Sequence, residues 1–359
     1  MKRDDDLRAV GEKDFLEGLL PRLYADPLLV GGFGHDASVI ELPDAPFNLI
    51  QKIDRASYPV ALKEGWADHG AWGRMAVTAN CSDILASGGS PLSCMMAVLV
   101  PGTARVRDVR ALIAGAAAEC RTNGVVYAGG DTKEAADAHV VGTAVGIVAK
   151  DGFLPRNAAR PGDLVYCAGE VGGFTGAYFL LKRVPPAERE RAEQEYIEYL
   201  AHPAAQWRTA RIVNAAKVAH CGMDASDGIL DVLQTFAAGG LGVRLDLPSI
   251  PYHRFAVECS RKTGIPLTQF IFGGGDWNIL YCVAPSQADR MDELSLQGLP
   301  LRRIGEMLPS GGPTARNSDH EFFRLRGVVN EHFKSRIEDA SDFMDHIEKG
   351  NFLIPADAT

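Results

Sequence analysis

The sequence predicts two α+β domains of related design, each a mixed sheet with helices packed on it. The chain has 359 residues, of which 46% are hydrophobic, and this is enough to build two cores. Strands and long helices are mixed in both halves of the chain. Each half also contains a glycine-rich loop that ends in aspartate, at 129–131 and at 273–276.

The first domain is expected to span residues 1–150. Apolar residues at helical spacing predict a helix over 11–23, and the glycine-rich segment 31–36 follows it. The remaining elements are apolar or alternating runs typical of strands at 37–42, 47–53, 91–100, 124–128 and 139–150, and helices at 71–86 and 106–123.

The second domain is expected to span residues 151–316, because turn signals at 151–152 and 161–162 mark the linker before it. Its strands are predicted at 163–168, 242–247, 278–283 and 301–307, and its helices at 172–182, 186–200, 206–220, 229–238, 254–263 and 286–297. From about residue 317 the composition changes. The charged, amphipathic segment 330–349 predicts that residues 317–359 form a helical extension.

Charge and cysteine content restrict the location and the partners of the protein. Lys and Arg total 37, Asp and Glu total 46, and the net charge of -9 argues against nucleic acid or an anionic membrane as partner. The seven cysteines include no C-x-x-C pair, so we expect reduced thiols. The charged N-terminus is not a secretory signal, and no apolar run reaches the roughly 18 residues of a membrane span. We therefore expect a cytoplasmic protein.

Five aspartates in loops or at the ends of elements indicate the chemistry. Mg²⁺ prefers oxygen ligands and commonly combines few carboxylates with substrate phosphates, and neighbouring glycines let a phosphate approach backbone N–H groups. Phosphoryl transfer depends mainly on positioning and charge neutralisation, which such residues can supply. Taken singly, each aspartate also fits a turn or a helix cap. The five are Asp36, Asp54, Asp83, Asp131 and Asp227.

Basic residues near these loops are candidates for contacts with phosphate. Lys133 follows Asp131 by two positions, and Arg156 and Arg160 lie in the linker before the second domain. The chain has no G-x-x-x-x-G-K-[ST] loop, no H-R-D and D-F-G pair, no G-x-S-x-G elbow and no H-E-x-x-H helix. These absences exclude the P-loop, protein-kinase, α/β-hydrolase and zinc-protease signatures.

Seven motifs in order resemble the superfamily of thiamine-monophosphate kinase, aminoimidazole ribonucleotide synthetase, selenophosphate synthetase and a hydrogenase maturation factor. The likeness covers about residues 10–310 and is greatest to thiamine-monophosphate kinase. The motifs are G-E-K-D-F-L at 11–16, G-H-D-A-S at 34–38, N-C-S-D-I-L-A-S-G-G-S-P at 80–91, G-G-D-T at 129–132, R-N-A-A-R-P-G-D at 156–163, D-A-S-D-G-I-L-D at 224–231 and G-G-G-D-W at 273–277.

This resemblance implies a two-domain, PurM-like α+β fold whose N-terminal domains pair in a homodimer, with ATP and Mg²⁺ as cofactors. It implies that Asp227 and Ser226 lie beside the transferred phosphoryl group. The residues implied to hold Mg²⁺ or its waters are Asp36, Asp54, Asp83, Asp131 and Asp227. Those implied to bind the nucleotide are Gly129, Gly130, Thr132, Lys133, Arg156 and Gly228.

Several positions differ from the kinase pattern, and most lie on the acceptor side. His35 replaces the first of two paired aspartates, only Asp54 remains of the T-D-x-L-V-E-G-V-H-F stretch, and Gly275 replaces the glutamate of G-G-E-D. The W-x-G-Y-D-H-F ending is absent. The sequence therefore predicts a preserved Mg-ATP half and an altered acceptor site. With His35, Arg55 and Tyr58 expected near it, an anionic or heteroaromatic small molecule is the expected acceptor.

Three functions remain open from the sequence. The first is ATP-dependent phosphoryl transfer to a small molecule. The second is ATP-dependent activation of an amide oxygen for cyclisation or dehydration, which releases free phosphate instead of a phosphoester. The third is nucleotide binding without catalysis, in a regulatory or scaffold protein.

Overall fold

The computed structural model of this chain describes residues 6–326, 347, 349–350 and 352–356. Its first half is built on a six-stranded sheet with the order β1-β2-β3-β6-β4-β5. Neighbouring strands are antiparallel except for β4 and β5, which are parallel. The strands are β1 Leu29–Val30, β2 Ser38–Ile40, β3 Phe47–Ala56, β4 Ser90–Val100, β5 Val126–Glu134 and β6 His139–Ala149.

Helices cover one face of this sheet. Residues on that face, such as Ile50 and Ala56 of β3, are buried in one apolar cluster with the helices. Ile53, which alternates with them, is 70% exposed, so the opposite face of the sheet is open. The helices that contribute to this cluster are α3 Val60–Lys63, α4 Gly70–Ala86 and α5 Val106–Thr122, and α1 Leu7–Val10 and α2 Glu12–Leu19 precede the first strand.

The second half is built on an eight-stranded sheet with the order β14-β13-β12-β9-β11-β7-β10-β8. Its neighbouring strands are antiparallel except for the parallel pair β9 and β12. The strands are β7 Leu164–Ala168, β8 Cys221–Asp224, β9 Gly242–Asp246, β10 Ile279–Val283, β11 Leu301–Leu308, β12 Gly312–Arg316, β13 Phe322–Leu325 and β14 Leu353–Pro355.

The central strands β7 and β10 are buried on both faces because helices and loops cover the sheet on each side. The α-helices of this half are α6 Gly173–Arg183, α7 Glu193–Ala201, α8 Trp207–Ala216, α9 Ile229–Phe236, α10 Arg254–Thr263 and α11 Ala288–Leu296. Short 3-10 segments lie at Leu20–Arg22, Pro186–Glu188, Ala238–Gly240, Leu247–Ser249, Leu267–Phe272 and Pro285–Gln287.

Helix α4 joins the two domains. One side of α4 packs on the first sheet, and its C-terminal residues Leu85 and Ala86 share an apolar cluster with Leu164 and Tyr166 of the second domain. The Thr78 hydroxyl donates a hydrogen bond of 2.9 Å to the Pro203 carbonyl. Because α4 is covered from both sides, its polar residues are buried, and this places their side chains at the boundary between the domains.

The predicted mixed sheets and packed helices are present in both halves. The prediction that residues 317–359 form a helical extension is wrong for two described segments of it. These are the strands β13 and β14, which pair with each other at the edge of the second sheet. Most of the helix predicted over 330–349 lies outside the described residues. Within the part of the chain that is described, no helix has both the length and the apolar character needed to cross a membrane.

Candidate active site

Three aspartates from distant parts of the sequence meet at the boundary between the domains. Asp36 precedes β2, Asp83 lies near the C-terminus of α4, and Asp224 ends β8. The three residues are only 5–7% exposed. The charges of Asp36 and Asp224 act on Asp83, and the charge of Asp36 acts on Asp224. They come together because α4 is packed between the first sheet and the second domain.

Two cationic side chains accompany these carboxylates. The Lys52 ammonium on β3 lies 2.7 Å from Asp83 Oδ2, and Arg156 Nη1 donates a hydrogen bond of 3.0 Å to Asp36 Oδ1. Lys52 and Asp54 lie on the same face of β3, with 4.0 Å between Lys52 Nζ and Asp54 Oδ2. The site therefore combines buried negative charge with two nearby cations.

Burial makes these carboxyls hard to ionise. It raises the pKa of Asp83 well above the usual value, and the charge of Asp224 adds to this, while Lys52 opposes it. Burial also raises the pKa of Asp36 against the opposing charges of Arg156 and Lys52. The pKa of Asp224 rises to about 7 through burial and the charge of Asp36, although the nearby Ser82 hydroxyl lowers it. Such strongly shifted groups cluster at functional sites.

Two carboxylate oxygens in the cluster have no hydrogen-bond partner among the described residues. They are Asp36 Oδ2 and Asp224 Oδ2, both buried. The other oxygen of each carboxylate accepts a hydrogen bond. Asp36 Oδ1 accepts from Arg156, and Asp224 Oδ1 accepts from the Ser226 hydroxyl at 3.2 Å. A buried acceptor without a partner is costly unless a ligand satisfies it.

These open oxygens fit Mg²⁺, which takes oxygen ligands and usually keeps water or substrate phosphates in its shell. In the described residues, no group of three or more His, Cys, Asp or Glu side chains is arranged to hold a metal ion by itself. Asp36 and Asp224 are therefore suited to a shared site, in which phosphate oxygens and water complete the coordination.

The remaining predicted residues of the D-A-S-D-G segment lie in the loop between β8 and α9. Ser226 is half-buried and donates to Asp224 Oδ1, whereas Asp227 is exposed, and its charge helps to raise the pKa of Asp224. Gly228 has a φ of 96°, and a Cβ there would lie 2.9 Å from the Phe272 carbonyl oxygen. Gly228 therefore lets the D-A-S-D-G loop pack against the start of the glycine-rich loop at 273–276.

Asp131 lies away from the carboxylate cluster along the sheet. Across the sheet, Asp54 of β3 is level with Gly142 of β6, Met96 of β4 and Gly130 of β5. Asp131 is the next residue of β5 and pairs with Ala97 of β4. The strands β6 and β4 separate β5 from β3, which corresponds to roughly 14 Å at three strand spacings. Asp131 is exposed, and its Oδ1 accepts a hydrogen bond of 2.9 Å from the Thr132 N–H.

The segment predicted as a glycine-rich loop at 129–132 is part of β5, which corrects the expected end of this strand at 128. The strand continues because Gly130 lets it pass close to β4, where a Cβ at this position would lie 1.8 Å from the Met96 carbonyl oxygen. The pairing between β4 and β5 shifts register just before this point. Gly129, with a φ of 105°, forms the bend.

A groove of about 750 Å³ lies between β5 and α5. Apolar side chains of α5, including Val109 and Ile113, form one wall, and Thr132 and Lys133 of β5 contribute to the other. This volume is typical of small-molecule sites. Two of the predicted nucleotide-binding residues thus line a groove, although it is at the opposite edge of the sheet from Asp36.

The residues expected near the acceptor are spread around the first domain. His35 Nε2 lies 3.1 Å from the Gly31 carbonyl oxygen, and the His35 ring packs edge-on against Phe153. Tyr58 packs against Trp72 with 4.9 Å between ring centroids, and Arg55 is exposed.

Two members of the cluster, Lys52 and Asp224, are missing from the residues assigned to the site by sequence. Asp224 stands two positions before Ser226 in the D-A-S-D-G segment, where it also fits a helix cap, and its position in that segment was the available signal. Lys52 shares the inward face of β3 with Asp54, so the alternation of the strand could have identified it.

Comparison with known proteins gives two family matches that together cover most of the chain. The profile of the AIR synthase related protein N-terminal domain matches residues 34–148, and that of the C-terminal domain matches residues 160–316. Five of the seven motifs lie inside these matches, the motif at 156–163 lies partly inside the second, and the motif at 11–16 lies outside both.

Similar sequences include two thiamine-monophosphate kinases. The one from Methanospirillum hungatei is 27% identical over 306 residues, which cover 83% of this chain and 93% of the relative. The one from Rhodopirellula baltica is 26% identical over 322 residues, which cover 88% of this chain and 95% of the relative. These matches confirm the predicted likeness to thiamine-monophosphate kinase.

Similar solved structures confirm the predicted fold. AaThiL complexed with AMPPCP and TMP has a TM-score of 0.74 at 20% identity, covering 92% of this chain and 100% of that one. The hydrogenase maturation protein HypE in complex with ATP has a TM-score of 0.61 at 16% identity, covering 90% of this chain and 96% of that one. The two-domain PurM-like architecture is therefore shared.

Proposed function

Because this chain belongs to the AIR synthase related family, whose N-terminal and C-terminal domains it carries in order, we propose that it is an ATP- and Mg²⁺-dependent small-molecule kinase. The acceptor is a small molecule, and thiamine monophosphate is the first candidate to test because the similar sequences are thiamine-monophosphate kinases. The enzyme class agrees with the similarity to thiamine-monophosphate kinases over more than four-fifths of the chain.

The observation that carries this proposal is the cluster at the domain boundary. Asp36 and Asp224 each have one buried oxygen without a hydrogen-bond partner among the described residues, and the cations of Lys52 and Arg156 pair with Asp83 and Asp36. Phosphoryl transfer needs cations that neutralise phosphate oxygens and carboxylates that hold Mg²⁺, with little covalent chemistry from the protein. The cluster supplies both kinds of group within one buried site.

The chain's own residues would act by binding and orientation. Asp36 and Asp224 would hold Mg²⁺, and Asp131 and Asp227 would hold further ions or their waters. Asp83 and Asp54 would instead be neutralised by Lys52. When bound, Mg²⁺ neutralises the charge that develops on the phosphoryl oxygens. The Arg156 guanidinium presents several N–H donors in a planar fork that suits phosphate oxygens. Ser226 keeps Asp224 oriented through its hydrogen bond to Oδ1.

The groove between β5 and α5 is a candidate for the nucleoside part of ATP. Its wall on α5 is apolar, which suits a nucleobase, and Lys133 on β5 offers a cation at its margin. Thr132 and Lys133 would then contact the triphosphate. Gly129 and Gly130 would allow its close approach to the backbone of β5.

One residue on the predicted acceptor side, Gly275, supports the proposal that the acceptor site is altered. Gly275 stands where the kinase pattern has glutamate, with a φ of 93°, and a Cβ at this position would lie 2.7 Å from the Phe174 ring. The ring of Phe174 therefore occupies the space that a longer side chain would need. We propose that this change alters which acceptor is bound, and that an anionic or heteroaromatic ring remains the expected chemistry.

We also propose a homodimer formed through the N-terminal domains. The open face of the first sheet carries apolar side chains that are 45–70% exposed, among them Ile53, Met95 and Val126. Exposed apolar side chains grouped on one face of a sheet are typical of an interaction surface. The seven cysteines are free and buried, which agrees with the proposed location in the cytoplasm.

The test is turnover of Mg-ATP with thiamine monophosphate, followed by phosphorus NMR. The expected result is ADP together with a new phosphoester. Other acceptors are chosen by thermal shift in the presence of AMPPCP, because a ligand that binds the native state raises its apparent stability. Free phosphate with ADP would instead indicate activation of an amide oxygen, and nucleotide binding without ADP for any acceptor would contradict the kinase proposal.

A further inference from the structure

The ammonium of Lys52 occupies an unusual position among the carboxylates of the site. Its Nζ lies 2.7 Å from Asp83 Oδ2 and 4.0 Å from Asp54 Oδ2. We propose that Lys52 is a built-in cation that replaces one divalent metal ion between Asp83 and Asp54. This inference rests on the proposed Mg-ATP site and specifies how many ions that site holds.

The burial of Asp83 explains why a permanent cation is needed. The Asp83 side chain is 8% exposed, whereas the Lys52 side chain is 22% exposed. An isolated carboxylate in such surroundings is strongly disfavoured unless it is paired. A lysine ammonium is a compact point charge on a flexible stem, so it can reach Asp83 from β3 while its stem packs against the sheet.

The positive charge of the ammonium disfavours a metal ion on the same oxygen. Mg²⁺ binds carboxylate oxygens at about 2.0–2.1 Å, and at that distance from Asp83 Oδ2 it would meet the positive charge of Lys52. Asp36 Oδ2 and Asp224 Oδ2, by contrast, have no partner among the described residues. The geometry thus divides the cluster into two parts. Asp83 and Asp54 are neutralised by Lys52, and Asp36 and Asp224 are available to Mg²⁺.

The competing explanation is that Lys52 only forms an ion pair that stabilises the fold. The two explanations differ in the number of metal ions. If Lys52 takes the place of an ion, its removal creates a site for one. If it is only structural, its removal lowers stability and leaves the number of bound ions unchanged.

The experiment counts bound Mn²⁺ by electron paramagnetic resonance, with and without saturating AMPPCP. The Lys52→Ala variant is expected to bind one Mn²⁺ per chain more than the unmodified protein under the same conditions. Its thermal unfolding temperature is expected to fall in EDTA and to rise with Mn²⁺ by more than that of the unmodified protein. Lys150→Ala is the matched control. Lys150 also forms an ion pair, with 3.6 Å between its Nζ and Glu41 Oε1, but this pair is not part of the carboxylate cluster.

The double variant Lys52→Ala with Asp83→Asn removes both charges of the pair. It is expected to fold like the unmodified protein and to lose the additional ion, since Asp83 is the ligand that Lys52→Ala exposes. If Lys52→Ala does not fold, Lys52→Gln removes the charge with a side chain of similar length and is measured in the same way. Equal Mn²⁺ counts for the unmodified protein and the single variant would overturn the inference.

Failure of the proposed function has a different outcome. If the unmodified protein neither binds AMPPCP nor forms ADP, the kinase proposal fails. The counts measured without nucleotide still decide the role of Lys52, because Asp83 and Asp54 would accept Mn²⁺ in Lys52→Ala alone.

Discussion

Buried aspartates occur in two regions of the molecule, and their surroundings differ. At the domain boundary, Asp36 and Asp224 each leave one oxygen without a partner among the described residues. In the second domain, Asp276 uses both oxygens. Its Oδ2 accepts from Gly172 N at 2.6 Å, and its Oδ1 accepts from Phe174 N at 2.7 Å and from the Tyr199 hydroxyl at 3.0 Å.

Burial alone does not separate the two kinds of aspartate. It raises the pKa of Asp224 to about 7 and that of Asp276 to about 6, and in each case it is the largest cause. The difference lies in hydrogen bonding. Asp276 fastens the 272–276 loop to the first turn of α6, so its role is structural. The open oxygens at the domain boundary have capacity for a ligand, which makes them functional candidates.

The largest expected effect is loss of turnover in Asp224→Asn. The amide removes a negative charge that would hold Mg²⁺, so turnover should fall by roughly 10²–10³-fold, as for other groups that stabilise charge in a transition state. Because the charge is costly to bury, the unfolding temperature should not decrease. Steady-state kinetics and calorimetry are the measurements. Full turnover in this variant, or a strong loss of stability, would remove the distinction between the two regions.

The opposite pattern is expected for Asp276→Asn. The amide nitrogen cannot accept the backbone N–H groups of α6, and leaving buried donors without a partner costs about 1–3 kcal/mol each. Unfolding in urea should show this loss, while AMPPCP affinity per folded molecule stays unchanged. Tyr199→Phe is the milder control, since it removes one donor only. A variant that kept its stability and lost nucleotide binding would contradict the structural role of Asp276.

Much of this organisation could be predicted from the sequence. The apolar periodicity and the turn signals gave the two α+β domains, and the ordered motifs identified Asp36, Asp83 and the D-A-S-D-G loop. These features are local, and each motif keeps its residues within a few positions of one another. The common surroundings of Asp36, Asp83 and Asp224 follow from the resemblance rather than from any one motif.

The parts that could not be predicted depend on contacts between distant elements. Lys52 matters because β3 packs against α4, which brings its ammonium to Asp83, and no single segment shows this. Asp131 belongs to a recognised motif, yet strand order places two strands between it and Asp54. The continuation of β5 through Gly129 and Gly130 likewise depends on how closely β4 approaches.

The smallest expected effect concerns pH, and it compares the two regions directly. The folded pKa of Asp224, about 7, lies above its usual value of 3.8, so the native state binds this proton more tightly than the unfolded chain. The resulting stabilisation is complete below about pH 4 and is lost as pH rises through 7. Asp276 behaves in the same way but loses its stabilisation as pH rises through about 6.

Asp224 and Asp276 should affect the pH dependence of nucleotide binding differently. Binding of Mg²⁺ needs the ionised form of Asp224, so affinity for Mg-AMPPCP should fall as pH decreases below about 7, by up to about tenfold per pH unit. Titration calorimetry between pH 5 and 8, in buffers of different ionisation enthalpy, should show a released proton. Asp276 has its oxygens satisfied by the protein, so Asp276→Asn should leave this profile unchanged, whereas Asp224→Asn should flatten it. An identical profile in the Asp224 variant would assign the proton to another group, with Asp36 and Asp83 the next to test, because burial raises the pKa of both.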